Sequence, residues 1–191
     1  MQPTSTTVQL DTYTYSIDTN DQLISFSANW DGFACANESR HLQASHIKEH
    51  SLWEFISNRE TVALYRELLT CLRDRGTSAG FHYRCDSPDL RRFMHMDISA
   101  DEQGFVTFVS QVVRTEPRAT IEVLLPDAER SEELLVMCGW CKKVRVDSTW
   151  VEIEAALEPL QLMDRWPLPA ISHGICEQCA EAMERQIEAI Q

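Results

Sequence analysis

The sequence has no long apolar run: no segment approaches the roughly 18–20 consecutive apolar residues that a membrane-spanning helix requires. Residues 1–7 also lack the basic start and the apolar core of a secretory signal. Together the two absences predict a cytoplasmic protein with no membrane partner.

Basic residues are scarce. The chain has 17 Lys and Arg against 30 Asp and Glu, and its formal net charge is −13. A nucleic-acid backbone binds clustered Lys and Arg through counterion release, and the one short basic patch, residues 142–145, is too small to provide such a cluster. A nucleic-acid partner is therefore not expected.

The size and composition are those of an ordinary globular protein. Of the 191 residues, 43% are hydrophobic and 25% are charged, which argues against wholesale disorder. The length suits one sizeable domain, or one domain of roughly 100–130 residues followed by a small module. We place the domain at residues 10–116, a linker at residues 117–132 and the module at residues 133–191.

The first domain is predicted to be α+β, with a continuous antiparallel sheet covered on one face by helices. Alternating bulky residues, separated by Asp-, Asn-, Pro- and Gly-containing turns, indicate the strands. The five strand candidates cover residues 12–18, 22–27, 79–86, 91–99 and 105–113. The first two are expected to form a hairpin.

The clearest helix of this domain is predicted over residues 58–75, with an apolar stripe at helical spacing. Ser57 and Glu60 fit a capping box at its start, and Gly76 supplies its end. In the linker, Ile121 and Val123 belong to a short alternating segment that could add one more strand or dock on the sheet.

Cysteine usage is the most specific signal. With no export signal, seven cysteines point to thiols or metal and not to disulfides. Cys35, Cys71 and Cys85 are scattered, and we interpret each as a small buried apolar side chain. The other four form two C-x-x-C pairs, Cys138 with Cys141 and Cys176 with Cys179.

This paired spacing predicts a structural zinc site with all four cysteines as metal ligands. A two-residue spacer lets both sulfurs of one pair point at the same ion, and four thiolates close a tetrahedral shell with no position left for water. The site is therefore expected to serve folding and not catalysis. His173 could replace one thiolate or support the site from outside the coordination shell.

The rest of the module is predicted from the second pair. Residues 177–190 have helical spacing, which would place Cys179 in a first helical turn where a thiolate is favoured. A strand at residues 150–151 and a short helix at residues 152–158 complete a treble-clef-like layout. Because this module has a tiny core of its own, metal binding would supply much of its folding free energy.

Several segments resemble known families. Residues 15–34, which include Asn29-Trp30-Asp31-Gly32-Phe33-Ala34, resemble the opening of a PAS domain, and residues 52–56 and 84–94 are similar to segments of a bacterial PAS-like family. The tail resembles a zinc-ribbon or treble-clef-like segment that follows PAS or receiver modules in bacterial signalling proteins. Its matching residues are 137–145 and 172–179.

The resemblance implies a five-stranded antiparallel sheet with helices on one face and a pocket between them, which holds a small ligand or serves only as core. The Asn-Cys-Arg-Phe motif of flavin-binding light sensors is absent, so a photoreactive flavin is not expected. With no output domain visible, the prediction is a non-catalytic bacterial sensor or adaptor. It would bind a protein partner, a small ligand or both. PAS relatives often dimerise, so a homodimer is compatible with this reading.

Two rival functions stay open. The C-x-x-C pairs could act as a thiol redox switch, although the βαβ context of a thioredoxin-type motif is not visible. A nucleic-acid-associated zinc module is the other rival, and the acidic charge argues against it. Within the first hypothesis, Trp140 with Lys142, Lys143 and Arg145 could form an exposed docking face, or Trp140 could merely cover the metal.

Overall fold

The computed structural model describes residues 11–191 and shows an α+β fold with two sheets. The larger sheet has five antiparallel strands in the order β2-β1-β5-β4-β3. The strands are β1 (Thr12–Ile17), β2 (Leu23–Phe26), β3 (Ser78–Arg84), β4 (Leu90–Ala100) and β5 (Val106–Pro117). The predicted five-stranded antiparallel sheet is confirmed, including its first hairpin.

The turn of that hairpin is fixed by aspartate side chains. The Asp18 carboxylate accepts the backbone N–H of Asn20 at 2.8 Å and of Gln22 at 2.9 Å. Asp21 accepts the Trp53 indole N–H at 2.9 Å and the Arg73 guanidinium at 2.8 Å. The turn is thereby tied to the segments that cover the sheet.

Short helices lead from β2 to one long helix. They are α1 (Trp30–Ala36), α2 (Ala44–Ile47) and two 3-10 helices at Arg40–Leu42 and Leu52–Phe55, followed by α3 (Arg59–Arg75). The predicted stop at Gly76 is confirmed, since this residue has a left-handed φ of 57° that glycine adopts without steric cost.

The predicted cap of α3 is wrong by one residue. Asn58 is the N-cap, and its side-chain oxygen accepts the Thr61 N–H at 2.9 Å. A capping box does occur, but earlier in the chain, where Ser51 and Glu54 start the 3-10 helix at Leu52–Phe55. Asn is as good a capping residue as Ser, so propensity alone did not separate the two positions.

The first hydrophobic core lies between one face of the five-stranded sheet and α3. Alternate residues of the central strands point inward, and Leu68, Leu69 and Leu72 of α3 pack against them with at most 1% of their surface exposed. The inward sheet residues include Ile17, Ile98, Val106 and Phe108. Each such burial contributes about 1.5–3 kcal/mol.

The second sheet has four strands in the order β8-β7-β6-β9. They are β6 (Arg130–Cys138), β7 (Val144–Val146), β8 (Thr149–Val151) and β9 (Leu168–Gly174), and β6 and β9 are parallel. Helix α4 (Ile153–Ala156) follows β8, and α5 (Glu177–Ile190) follows β9. A second core cluster, which includes Leu135, Val144 and Leu168, lies beneath this sheet.

Part of this region differs from the prediction. The strand at residues 150–151 and the helix at residues 177–190 are present, whereas β6 begins inside the expected linker and β9 was not predicted. Ile121 and Val123 are buried, but they belong to a 3-10 turn and not to an extra strand. The polar start of β6 and the Pro and Gly of β9 hide the strand pattern.

The cysteine pairs and helix α5 belong to the first hydrophobic core, although the body of the second sheet has its own cluster. Ile175, Met183 and Ile187 join the cluster that contains the leucines of α3, so the C-terminal segment does not depend on a tiny core of its own. Helix α5 packs on α3.

An ion-pair network around three buried side chains, Arg84, Asp86 and Arg118, links the end of β3 and the residue after β5 to the segment around α4. Arg84, whose side chain is 8% exposed, binds Asp86 and contacts Glu152 at 2.6 Å. Arg118 contacts the same Asp86 at 3.4 Å and Glu154 at 3.2 Å. Each buried charge therefore has a partner, which is the condition for tolerating it.

Removing Arg84 is expected to destabilise the whole fold. In Arg84→Met the buried Asp86 loses its closest ion pair and keeps the longer contact with Arg118 and the Arg92 N–H at 3.2 Å. The free energy of unfolding should fall by about 3–5 kcal/mol. Urea unfolding followed by circular dichroism measures the change. The matched control is Arg165→Met, which removes an exposed pair with Glu133 and should cost at most about 1 kcal/mol. Equal losses would contradict the assigned role.

Candidate metal centre

The first cysteine pair lies where β6 turns into β7. Cys138 is the last residue of β6, and its backbone N–H donates to the Lys143 carbonyl at 2.8 Å. The Lys142 N–H donates back to the Cys138 carbonyl at 3.1 Å, and Lys142 has a left-handed φ of 60°. This tight turn places Cys138 and Cys141 on the same side of the knuckle.

The second pair lies where β9 enters α5. Cys176 is the N-cap residue of α5, and its carbonyl accepts the backbone N–H groups of Cys179 and Ala180, both at 3.0 Å. Cys179 is consequently in the first helical turn, as predicted. The positive end of the helix dipole there favours a negatively charged sulfur.

Parallel pairing of β6 with β9 brings the two pairs together. Cys138 is in register with Gly174, and the Gly139 N–H donates to the Gly174 carbonyl at 2.9 Å. The close approach of the strands favours glycine at position 174, because a Cβ there would lie 3.3 Å from Val136 Cγ1. The two knuckles are thus held side by side by backbone hydrogen bonds.

The result is a compact cluster of four sulfurs that could hold a metal ion. The Sγ atoms of Cys138, Cys141, Cys176 and Cys179 all lie within 4.8 Å of one another. Cys141 Sγ and Cys176 Sγ are 3.6 Å apart, and the Cys176 N–H points at Cys138 Sγ at 3.5 Å. Cys138 and Cys176 are buried, and the other two are half-buried.

The pKa values of the cysteines indicate which sulfur most readily carries a negative charge. Hydrogen bonds donated by the Cys141 and Cys179 thiols lower the pKa of Cys138 well below its usual range. The same bonds, which Cys141 and Cys179 would lose on ionising, raise the pKa of Cys141 to about 12 and raise that of Cys179 as well. A cation at the centre would replace these shared protons and allow all the sulfurs to ionise.

His173 lies outside this cluster. It is an exposed residue of β9, and its ring nitrogens do not belong to the group of converging ligand atoms found in residues 11–191. The structure therefore does not place His173 among the candidate ligands. It lies instead at the wall of a neighbouring cavity.

Trp140 is not part of an exposed docking face, so that interpretation of the residue is wrong. It is only 8% exposed and belongs to the first core. Its ring centroid lies 5.7 Å from that of Tyr65 and 5.1 Å from that of Phe81, and its carbonyl accepts the Arg84 N–H at 2.7 Å. The large apolar ring is stabilised by removal from water, which the sequence pattern did not reveal.

A cavity of about 400 Å³ lies between the sheet and the helices and reaches the first knuckle. Tyr15 and Tyr83 of the sheet and Thr61 and Tyr65 of α3 line it. Gly139, Trp140 and Lys142 of the knuckle close one end. The sequence predicted a pocket between sheet and helices through the family resemblance, but not that the cysteine region forms part of its wall.

No protein-family model and no curated protein matches this chain. Among residues 11–191, no helix is long and apolar enough to cross a membrane. The features that bear on function are the α+β fold, the four-cysteine cluster and the adjoining cavity.

The burial of Trp140 makes the first knuckle a stabilising element for the entire protein. We expect Trp140→Ala to lower the free energy of unfolding by about 3–5 kcal/mol, because it leaves a large gap in the first core. Urea unfolding monitored by far-ultraviolet circular dichroism should show one cooperative transition at lower denaturant. Trp166, which is 67% exposed, supplies the control, and Trp166→Ala should change the stability by less than about 0.5 kcal/mol. A selective loss of the C-terminal segment would contradict the placement of Trp140 in the first core.

Proposed function

We propose that this protein is a non-catalytic signalling or adaptor protein, in which a PAS-like sensory domain is braced by a structural zinc ion. The convergence of four sulfurs within 4.8 Å carries the proposal. Cys138, Cys141, Cys176 and Cys179 are the proposed ligands. A bacterial, cytoplasmic setting belongs to the same proposal, since a reducing compartment keeps thiols available for metal.

Zinc fits the donor set better than a hard cation does. Soft thiolates select zinc, copper(I) or iron–sulfur chemistry, whereas calcium and magnesium take oxygen ligands. Sulfurs bound at about 2.3 Å in a tetrahedron are separated by roughly 3.8 Å. The 3.6 Å between Cys141 Sγ and Cys176 Sγ is close to this value. The other separations are at most 4.8 Å, so a small contraction of the cluster would complete the shell.

A four-thiolate shell supports a structural and not a catalytic role. Zinc enzymes keep one coordination position for water or substrate, and four cysteines leave none. The ion would join the end of β6 to the start of α5, two points that are 38 residues apart along the chain. Because both points pack into the first core, the ion would stabilise the sheet and the helices together.

The sensory part of the proposal rests on the five-stranded antiparallel sheet and the cavity beside it. A mostly apolar cavity of this size with a few polar groups is the usual form of a small-molecule site. Binding there would be passed to a protein partner, and a homodimer is one form that such signalling could take. Of the basic residues near the knuckle, Arg145 is exposed and remains a candidate contact for the partner.

A thiol redox switch is the second candidate, and one distance favours it. Cys141 and Cys176 come from different knuckles, and their sulfurs are near enough that a modest movement would permit a disulfide. Such a bond would expel a metal, because two of its four ligands would be lost. The two functions therefore predict different states of the purified protein.

Metal analysis distinguishes these functions. Native mass spectrometry of protein purified under reducing conditions should show one zinc per chain. Cys141→Ser should lower the zinc content and the melting temperature, because three thiolates bind the ion more weakly than four. Cys35→Ser, which alters a half-buried cysteine of α1, should retain full zinc. A metal-free protein with a reversible Cys141–Cys176 disulfide would instead support the redox switch.

A further inference from the structure

We infer that the cavity beside the cysteine cluster binds an apolar molecule carrying one carboxylate, with the carboxylate held at Lys142. The inference rests on the proposed sensory function and specifies the class of ligand. Three features of the cavity carry it: an aromatic wall, a lining without acidic side chains, and one lysine at the end formed by the knuckle.

Aromatic and aliphatic side chains dominate the wall. Rings from the sheet, the helices and the knuckle line the space, so a large part of the body of a ligand would be removed from water. The aromatic residues of the lining are Tyr15, Phe26, Trp30, Phe55, Tyr65, Tyr83 and Trp140. A planar apolar body suits such a wall.

The charge of the cavity is opposite to that of the protein. The chain carries 30 acidic residues and a net charge of −13, yet none of the described residues that line the cavity is Asp or Glu. Among the lining residues from 11–191, Lys142 is the only lysine or arginine. In a mostly apolar lining, the ammonium of Lys142 favours an anionic ligand group over a neutral one.

The lysine retains capacity for that group. Lys142 Nζ donates one hydrogen bond to the Gly139 carbonyl at 2.8 Å, and among residues 11–191 it forms no ion pair. An ammonium has three donors, so two remain. The backbone turn that bonds Lys142 N–H to the Cys138 carbonyl holds the residue in place.

The tyrosines of the wall do not oppose an anion. Burial raises the pKa of Tyr15 and Tyr65 well above the usual range, and it raises the pKa of Tyr83 to about 12. Their hydroxyls therefore stay neutral at physiological pH. Tyr83 already donates its hydroxyl hydrogen to Ser110 Oγ at 3.0 Å, which fixes its ring at the sheet side.

A matched pair of probes tests the inference on the 191-residue protein as purified under reducing conditions. Isothermal titration calorimetry with 2-naphthylacetate should show binding. The isosteric amide, 2-naphthylacetamide, should bind at least about tenfold more weakly, because the two probes differ in charge and not in shape. Raising the salt concentration should weaken binding of the acid and leave that of the amide unchanged.

Two lysine variants locate the carboxylate. Lys142→Met should reduce the affinity for the acid to that for the amide, and the affinity for the amide should not change. Lys143→Met is the matched control, because Lys143 is the adjacent lysine and does not line the cavity. It should bind both probes as the unmodified protein does.

Several results would overturn the inference: no binding of either probe, equal binding of acid and amide, or an acid preference that survives in a folded Lys142→Met. If that variant fails to fold, the comparison of acid and amide on the unmodified protein still decides. Zinc content, measured on the same sample, keeps this inference separate from the metal proposal. If zinc is present and the acid is not preferred, the ligand inference is wrong and the metal proposal stands. If the acid is preferred and zinc is absent, the metal proposal is wrong and the ligand inference stands.

Discussion

The parallel pairing of β6 with β9 is the constraint on which the rest of the C-terminal structure depends. It aligns Cys138 with Gly174 and lets the Gly139 N–H bond the Gly174 carbonyl, so the two knuckles meet before any ligand geometry is considered. The tight turn after β6 and the first turn of α5 then direct the four sulfurs to one point. A metal ion would lock an arrangement that strand pairing has already prepared, which lowers the entropy cost of assembling the site.

The cysteine region is part of the main core and not an appendage. Trp140, Ile175 and Met183 pack in the same cluster as the leucines of α3, and the Arg84 network joins the sheet to the segment around α4. This integration changes the meaning of the candidate metal centre. An ion in a separate small module would stabilise that module alone, whereas an ion here would also support one wall of the cavity.

Local patterns in the sequence were sufficient for much of the fold. Alternation identified the five strands of the first sheet, helical spacing identified α3 and α5, and the repeated C-x-x-C spacing identified the four converging cysteines. Contacts between residues far apart in the chain could not be predicted in this way, because they leave no local pattern in the sequence. The start of β6 is polar and β9 contains Pro and Gly, so neither shows a strand period. The burial of Trp140 depends on Tyr65 and Phe81, which are far away in the chain.

The pairing of β1 with β5 has a consequence for the rate of folding. The centre of the first sheet joins residues about ninety positions apart, as in the hydrogen bond between Ser16 and Thr107, whose separation in sequence is 91. Closing so large a loop costs entropy before the contact yields any stabilisation. High contact order of this kind is associated with folding in milliseconds to seconds. During that interval the cysteines would be accessible to metal and oxidant alike, so metal binding at the candidate centre would compete with thiol oxidation.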